Sequence, residues 1–148
     1  MGWEIEFFSD ANGNQPVRKF LKDLDYRKRN ALIAAIETVL EPMGLDVCQT
    51  EYGKALGRGL YEFRLRHDEE TILRKAGRPA DGASSTDLLL RVFFLAYGEK
   101  IILLLGAYDK GLDPSKRRQE REIARARRRL RSFELKQQRL SAAAKRQP

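Results

Sequence analysis

The sequence predicts a single α+β domain with a small, mostly antiparallel sheet. Three observations favour this class. The chain begins with a short alternating segment, continues with two segments of helical apolar spacing, and then carries three strand-like segments before a basic helix. Its 148 residues allow one domain with a modest core, and a hydrophobic fraction of 42% is enough to fold it. The expected order is strand, helix, helix, three strands, helix.

Two segments alternate in a way that predicts strands with unlike faces. In residues 3–8 the apolar side consists of Trp3, Ile5 and Phe7. From Leu60 to about Arg66 the apolar side consists of Tyr61, Phe63 and Leu65, which we expect to pack on the core. The opposite side of that second strand carries Glu62, Arg64 and Arg66. We expect this charged side to face a ligand or solvent.

Two helices are predicted between these strands. Pro16 suits the first turn of one helix, and Asp25 can cap the start of the next. Their apolar stripes are Val17, Phe20, Leu21 and Leu24, and then Leu32, Ile33, Ile36, Val39 and Leu40. Because the helices are joined tightly, we expect an antiparallel helical hairpin that packs on the sheet and ends at Pro42 and Gly44.

Two further segments are predicted to lack regular structure. Residues 45–59 contain three glycines and form a connector that carries Lys54 and Arg58. Residues 67–87 are polar and interrupt what would otherwise be a hairpin, whose loop usually has about 2–5 residues. This insertion is expected to be mobile at its tip, and it is interpreted either as a tolerated surface insertion or as a functional lid.

Residues 88–97 and 100–108 predict two strands that are apolar at nearly every position, as expected for central strands covered on both faces. Gly98 and Glu99 between them fit a two-residue type II′ turn. Arg91 interrupts the first of these strands. We expect it near the strand end, where its guanidinium can reach solvent.

The last predicted element is a basic helix that starts at Asp113-Pro114 and runs from Ser115 to about Leu140. Its narrow apolar seam is Ile123, Ala126, Leu130, Phe133 and Leu140, and residues 142–148 are expected to fray. Residues 115–148 hold 13 Lys/Arg against 3 acids, whereas the rest holds 16 against 18, so the net charge of +8 belongs to this helix. Such a segment indicates a polyanionic partner.

Composition excludes several classes of site. The single Cys48 excludes an intramolecular disulfide and a cysteine-based zinc site, and the single His67 excludes a two-histidine acid–base pair. No apolar run approaches the roughly 20 residues of a membrane span. The N-terminus lacks the basic region of a secretory signal. We therefore expect a cytoplasmic protein without metal, cofactor or membrane contact.

In their order and spacing, several motifs resemble the RelE/ParE toxin superfamily of bacterial toxin–antitoxin systems, and most closely its phage-derived HigB-type branch. The motifs are Lys54 to Arg64, Leu90 to Phe94, Leu103 to Lys110, and Pro114 with the basic helix after it. The resemblance covers residues 3 to about 130. It implies a RelE-like toxin domain at 1–131, with the insertion 67–87, followed by a basic helical extension and frayed tail at 132–148.

The resemblance implies a toxin that enters the ribosome, contacts rRNA and cleaves the bound mRNA, and that a helix-turn-helix antitoxin from a neighbouring gene neutralises. Arg64 and Arg91 match the basic positions of the family's strand motifs, and Arg64 is favoured over Arg66 as the phosphate contact. Lys110 matches one of two lysines that often precede the last helix. Asp109 stands where the other lysine would be, which removes a positive charge, and the insertion 67–87 is a second departure.

Metal-independent RNA cleavage needs a base near the 2′-hydroxyl, cations around the pentavalent phosphorane and an acid for the leaving oxygen. Arginine suits the phosphorane because its fork matches two phosphate oxygens and stays charged. We expect Arg64 and Arg91 in this role; a pair between Arg64 and Glu62 is the structural alternative. Arg58 and Arg66 are expected to contact RNA. So are the basic-helix residues Lys116, Arg117, Arg118, Arg121, Arg125 and Arg128.

The proton-transfer groups stay open between several candidates. Lys54 or Lys110 could act as the base if its pKa falls. Asp109 could be a base itself or could pair with Lys110. Tyr108 is interpreted either as an acid or base-stacking group or as packing, and His67 as a loop residue rather than a catalytic one.

Three functions are weighed. The first is a ribosome-dependent mRNA endonuclease. The second is a binding protein on the same fold, either a ParE-like gyrase inhibitor or a catalytically inactive RNA binder, which the loss of the second lysine at Asp109 favours. The third is a phage accessory protein that binds nucleic acid without toxicity. For the basic helix, a solvated face and an antitoxin surface are the alternatives to rRNA binding.

Overall fold

A computed structural model describes residues 2–146 and shows a five-stranded mixed sheet with helices on both faces. The strands are β1, Glu4–Phe7; β2, Gly53–Gly57; β3, Leu60–Leu65; β4, Leu90–Tyr97; and β5, Ile101–Asp109. The helices are α1, Pro16–Asp23; α2, Tyr26–Ala35; α3, Glu69–Lys75; and α4, Lys116–Arg146. The strand order is β1-β5-β4-β3-β2, with β1 parallel to β5 and all other pairs antiparallel. The predicted α+β class is confirmed.

The start of the chain follows the prediction closely. Pro16 opens α1, and the Asp25 carboxylate caps α2 by accepting a hydrogen bond from the Arg27 N–H. Leu24 and Asp25 alone connect the two helices. Their neighbours differ, because α1 packs mainly on β5 whereas α2 packs on α3. The expected pair of consecutive helices is present, and each member is held chiefly by another element.

The predicted end of the second helix at Pro42 and Gly44 is confirmed, but its last part is not a regular α-helix. The helix widens into a π turn over Ile36–Leu40, in which the Glu41 N–H donates to the Ile36 carbonyl, and continues for one more turn, Glu41–Met43. Pro42 lies at the start of that last turn, where the missing N–H costs little. Gly44, with a φ of +56°, ends the helix against the Trp3 indole, which a Cβ would approach to 2.0 Å.

The prediction that residues 45–59 form only a connector is wrong. Residues Gly44–Gln49 form a 3₁₀ turn, and Gly53–Gly57 form the edge strand β2. This strand carries no alternation that sequence reasoning could detect, because glycines open and close it. Backbone pairing with β3 holds it, with a bulge between Ala55 and Gly57. From α4, Arg127 donates to the carbonyls of Leu56 at 2.7 Å and Gly57 at 3.1 Å.

The insertion 67–87 is more ordered than predicted. It contains α3, whose first turn is capped by the Asp68 carboxylate through the Thr71 N–H. Ile72 buries its side chain in the larger of the two apolar cores described below. The buried Glu69 carboxylate accepts a hydrogen bond from the Ser84 N–H. Strands β3 and β4 still pair across the insertion as predicted, and an isolated bridge between Asp68 and Asp87 closes its base.

The turn between β4 and β5 is longer than the predicted two-residue type II′ turn. Tyr97 pairs with Ile101, which leaves a three-residue loop at 98–100. Both Gly98 and Lys100 have a positive φ, of 55° and 60°. A bulge between Phe93 and Phe94 shifts the pairing of β4 with β5. Both strands are buried on both faces, as their apolar sequences predicted.

The sheet separates two apolar cores. The larger lies under α1, α2 and α3 and includes Leu32, Leu40, Phe63, Leu65, Phe94, Ile102 and Leu104. The smaller lies under α4 and includes Leu60, Phe93, Leu95, Leu103, Leu105, Tyr108, Ala126 and Leu130. Successive residues of β5 alternate between these cores because strand side chains alternate between faces.

Helix α4 docks only by its first half. Ala126 and Leu130 are buried, and Phe133 packs edge-on against Tyr97 with ring centroids 4.7 Å apart. Leu140 is 56% exposed and is not part of the seam, contrary to the prediction. The helix continues unbroken to Arg146, so the predicted fraying from residue 142 is wrong for residues 142–146. Gln147 and Pro148, which complete the expected frayed tail, lie outside the described residues.

Candidate functional site

A row of polar side chains crosses the α4 face of the sheet near the ends of β3, β4 and β5. In the strand register Arg64 lies opposite Arg91, and Arg91 lies opposite Tyr108. Glu62 lies two residues before Arg64 and pairs with Lys54 of β2. Cross-strand partners share a face, so these five side chains belong together. We call Lys54, Glu62, Arg64, Arg91 and Tyr108 the polar row.

Glu62 is the most unusual member of the polar row. Its side chain is 3% exposed, one carboxylate oxygen lies 3.5 Å from the Arg64 Nε, and the other has no hydrogen-bond partner. Burial raises the pKa of Glu62, and the nearby charges of Arg91, Lys54, Lys110 and Arg66 oppose this shift without cancelling it. Of the two expected surroundings of this charged side of β3, solvent is therefore wrong for Glu62, and contact with a ligand stays a prediction.

Arg91 lies near the start of β4, but its guanidinium does not escape to solvent. The residue is 4% exposed, and its Nη1 donates to the carbonyls of Leu65 and Leu90 at 3.4 and 3.1 Å. Burial lowers the pKa of Arg91, and the Glu62 carboxylate counters this effect. The predicted escape of the guanidinium is wrong, and its main contacts are within the protein.

Tyr108 and the first turns of α4 cover the polar row on the α4 face of the sheet. Tyr108 is 1% exposed and stacks on Phe93 with a centroid distance of 6.1 Å, so it packs rather than offering a face for a nucleobase. Its hydroxyl has no partner, and burial raises its pKa. The Arg118 guanidinium lies 5.4 Å from the centre of its ring. Glu122 holds Arg118 at 3.5 Å and Arg125 at 2.8 Å.

Four buried polar atoms without hydrogen-bond partners lie around this row. They are one carboxylate oxygen of Glu62, the Nε atoms of Arg64 and Arg118, and the Tyr108 hydroxyl. Buried polar groups are nearly always satisfied, and leaving one unsatisfied costs about 1–3 kcal/mol. Open donors and acceptors that converge with a titratable group of shifted pKa make this row the candidate functional site.

The structure places Asp109 away from the polar row. Asp109 pairs with Leu90, whose side chain lies in the main core, so its carboxylate points to the α2 face of the sheet. There it forms an ion pair with Lys28 at 2.7 Å and accepts a hydrogen bond from the Gly111 N–H. The suggested pair with Lys110 is not formed. Asp109 therefore lies on the opposite face of the sheet from Arg64 and Arg91, although it lines one cavity together with Arg118.

The remaining predicted residues surround the row at greater exposure. Lys54, Arg58 and Arg66 are exposed and Lys110 is half-buried; the charges of Lys54, Lys110 and Arg66 all act on Glu62. On α4, Arg118 alone of the predicted RNA contacts is half-buried; the exposed ones are Lys116, Arg117, Arg121, Arg125 and Arg128. His67 pairs instead with Glu51 and lies against Tyr52, outside the row.

Sequence reasoning missed two acids and two arginines. Glu62 was considered only as a structural partner of Arg64, and Glu122 was not considered as an organiser of Arg118 and Arg125. Arg127 and Arg129 donate to backbone carbonyls of the sheet instead of facing solvent. The available signal for Glu62 was its position between two apolar residues of a central strand, where an acid is rarely buried unless it is paired.

Within residues 2–146 no group of three or more His, Cys, Asp or Glu side chains is arranged to hold a metal ion. Across that same range, every helix is too short or too polar to span a membrane. The chain matches no protein-family model, and no curated protein matches it.

Proposed function

We propose that this protein is a cytoplasmic toxin that cleaves mRNA on the ribosome by a metal-independent mechanism, and that a helix-turn-helix antitoxin neutralises it. The observation that carries the proposal is a buried carboxylate set among cations, with unsatisfied polar atoms on Glu62, Arg64, Tyr108 and Arg118. The basic first half of α4 beside this row supports contact with rRNA. The motif resemblance adds the link to the ribosome.

In the proposed reaction Glu62 is the general base. Its raised pKa brings it closer to the range in which a carboxylate can accept a proton from a 2′-hydroxyl. The 2′-oxygen attacks phosphorus, the bond to the 5′-oxygen breaks, and the products are a 2′,3′-cyclic phosphate and a 5′-hydroxyl. The leaving oxygen takes a proton from Lys54 or Lys110, whose charges both act on Glu62.

Arg64 and Arg118 are the proposed phosphorane contacts, because each is half-buried and leaves its Nε without a partner. Arg91 has a different proposed role. Its guanidinium is bound to two main-chain carbonyls, so it acts on the charge of Glu62 and positions that carboxylate. Preorganised donors of this kind change rates by about 10²–10³-fold when one is removed.

The test uses purified ribosomes, a defined message and Arg64→Ala. Cleavage should fall by about 100-fold. Arg74→Ala is the control, because Arg74 is exposed on α3 and lies outside the polar row; its rate should stay within about threefold of wild type, as for a surface charge. Full activity of Arg64→Ala would overturn the site. A neighbouring reading frame for a helix-turn-helix protein would support the antitoxin.

A second function is favoured by the low exposure of the row. Glu62, Arg91 and Tyr108 are 2%, 4% and 1% exposed, which leaves little room for a reacting phosphate. On this observation the chain would be a binding protein, either a gyrase inhibitor or an inactive RNA binder. Inhibition of DNA supercoiling, or RNA binding without cleavage on ribosomes, would then be observed with the wild-type protein.

A further inference from the structure

A second, more open feature lies between α1 and α4. Parallel strand β1 pairs with β5 only from Ile101 to Leu104, so the next part of β5 has no strand on that side. Two cavities, of about 950 and 360 Å³, fill this region and share Pro16, Lys19 and Asp23 as walls. We call the two together the α1–α4 trough.

The trough leads to the candidate site. Its smaller cavity is lined by Arg118, whose guanidinium lies over the Tyr108 ring, and by Asp109, whose carboxylate is paired with Lys28. Its larger cavity extends along α4 past Arg125 and Arg128 to Ser132. With a helical rise of 1.5 Å per residue, the path from Arg118 to Arg128 is about 15 Å long. A chain-like ligand held at the polar row can therefore continue along the trough.

The walls of the larger cavity are strongly basic. They carry six cations and two acids: Arg18, Lys19, Lys22, Arg125, Arg128 and Arg129, with Asp10 and Asp23. Both acids are already engaged. Asp10 accepts hydrogen bonds from the N–H groups of Asn12 and Asn14, and Asp23 pairs with Lys19 at 2.7 Å. The acids therefore leave most of the positive charge available to a ligand.

Four of the six cations form no ion pair within the described residues, but Arg18 lies over the Phe7 ring and Arg129 donates to a main-chain carbonyl, which leaves two uncommitted. Lys22 and Arg128 are exposed, and neither has an ion-pair partner within the part of the chain that the structure describes. The start of α1 at Gln15 and Pro16 also opens into this cavity, and no side chain caps it. Uncapped N–H groups at a helix start add to the preference for an anion.

We propose that the α1–α4 trough binds the phosphodiester backbone of single-stranded RNA, one strand of which runs on from the nucleotides held at the polar row. This inference rests on the proposed function and names a binding surface for its substrate. RNA is favoured over an acidic peptide added to the sheet as an extra strand. Arg129 already occupies the Leu105 carbonyl at 2.9 Å, which such a peptide would need as its first acceptor on β5.

The test measures binding of a uridine decamer with 2′-O-methyl groups throughout, which cannot be cleaved, by fluorescence anisotropy over a range of salt. The double variant Lys22→Gln/Arg128→Gln should weaken binding about tenfold and reduce the salt slope by about 1.4, or about 0.7 for each lost phosphate contact. The control is Arg131→Gln/Arg139→Gln, which removes the same charge from exposed positions of α4 outside both cavities. Its slope should change by less than about 0.5.

Equal slopes for the two double variants would overturn the trough. So would a trough variant that loses affinity for a polyglutamate peptide but keeps its affinity for the decamer, since the trough would then be a peptide site. The proposed nuclease fails separately. If wild-type protein does not cleave on ribosomes but the trough variant shows the reduced salt slope, the RNA-binding trough is supported and the nuclease is rejected. If Arg64→Ala abolishes cleavage and the trough variant binds the decamer normally, the nuclease is supported and the trough is rejected.

Discussion

The two faces of the sheet use the same strands for different purposes. On the α2 face, β3, β4 and β5 present aliphatic and aromatic side chains almost throughout, and the one buried acid at the edge, Asp109, is paired with Lys28. On the α4 face the same strands carry an apolar cluster at one edge of the face and the polar row at the other, where buried polar atoms lack hydrogen-bond partners. Since alternate residues serve alternate faces, a strand can support a satisfied core and an unsatisfied site together.

The largest effect is expected from truncating neighbouring leucines of β5, both fully buried and on opposite faces. Leu104→Ala opens a cavity in the larger core and should lower the free energy of unfolding by about 4 kcal/mol. Leu105→Ala, under α4, should cost about 2–3 kcal/mol, because a single helix can settle into the space more readily than three. Urea unfolding measures both, and a larger loss for Leu105→Ala would contradict the ranking of the two cores.

A second contrast concerns the buried acids of the two faces. Lys28→Met removes the partner of Asp109, whose side chain is 7% exposed, and should cost about 2 kcal/mol in urea unfolding because the carboxylate is left without its cation. Lys19→Met is the control, since its pair with Asp23 is exposed; it should cost less than about 0.5 kcal/mol.

Because Asp109 lies on the other face, ribosomal mRNA cleavage by Asp109→Asn should remain within about threefold of wild type. A large loss of cleavage would place Asp109 in the site after all.

The smallest effect is a gain. Because the folded-state pKa of Glu62 is raised, its contribution to stability is present below the ordinary glutamate pKa and is lost as pH rises through the higher folded value. Glu62→Gln should remove this loss and stabilise the protein at pH 7 by about 1 kcal/mol, with the gain shrinking toward pH 4. Ribosomal cleavage should disappear in the same variant. If urea unfolding at the two pH values shows that the variant loses stability at pH 7, the inferred cost of burying the charged carboxylate is contradicted.

What the sequence predicted well depends on side-chain periodicity. Strands β3 to β5 and helix α1 have clear apolar patterns, and the capping carboxylate of Asp25 marks where α2 begins. Strand β2 and the end of α2 do not follow such patterns. The first is held by main-chain hydrogen bonds to β3 and has a glycine at each end, and the second contains a π turn before Pro42. Neither arrangement produces a periodic spacing of apolar residues from which it could be predicted.

The candidate site was predicted in outline. Alternation correctly placed Glu62 and Arg64 on one side of β3, and the register brings Arg91 to them. The sequence could not show that α4 covers this side, which makes Glu62 a buried acid and Arg91 an internal donor. The prediction for Asp109 came from the motif resemblance, which matches residue types along the chain. It did not take into account on which face of β5 the side chain lies. Burial arises from contacts between distant segments, and periodicity does not report them.

The hydrogen bonds from Arg127 to β2 have a consequence for the behaviour of the protein at high concentration. An exposed edge strand offers unpaired carbonyls to the edge of another copy, which is a common route to aggregation. Here a side chain from α4 occupies the carbonyls of Leu56 and Gly57, so the last residues of that edge cannot recruit a foreign strand. The long basic helix, besides any partner it binds, thereby protects this end of β2 from pairing with the edge of another copy.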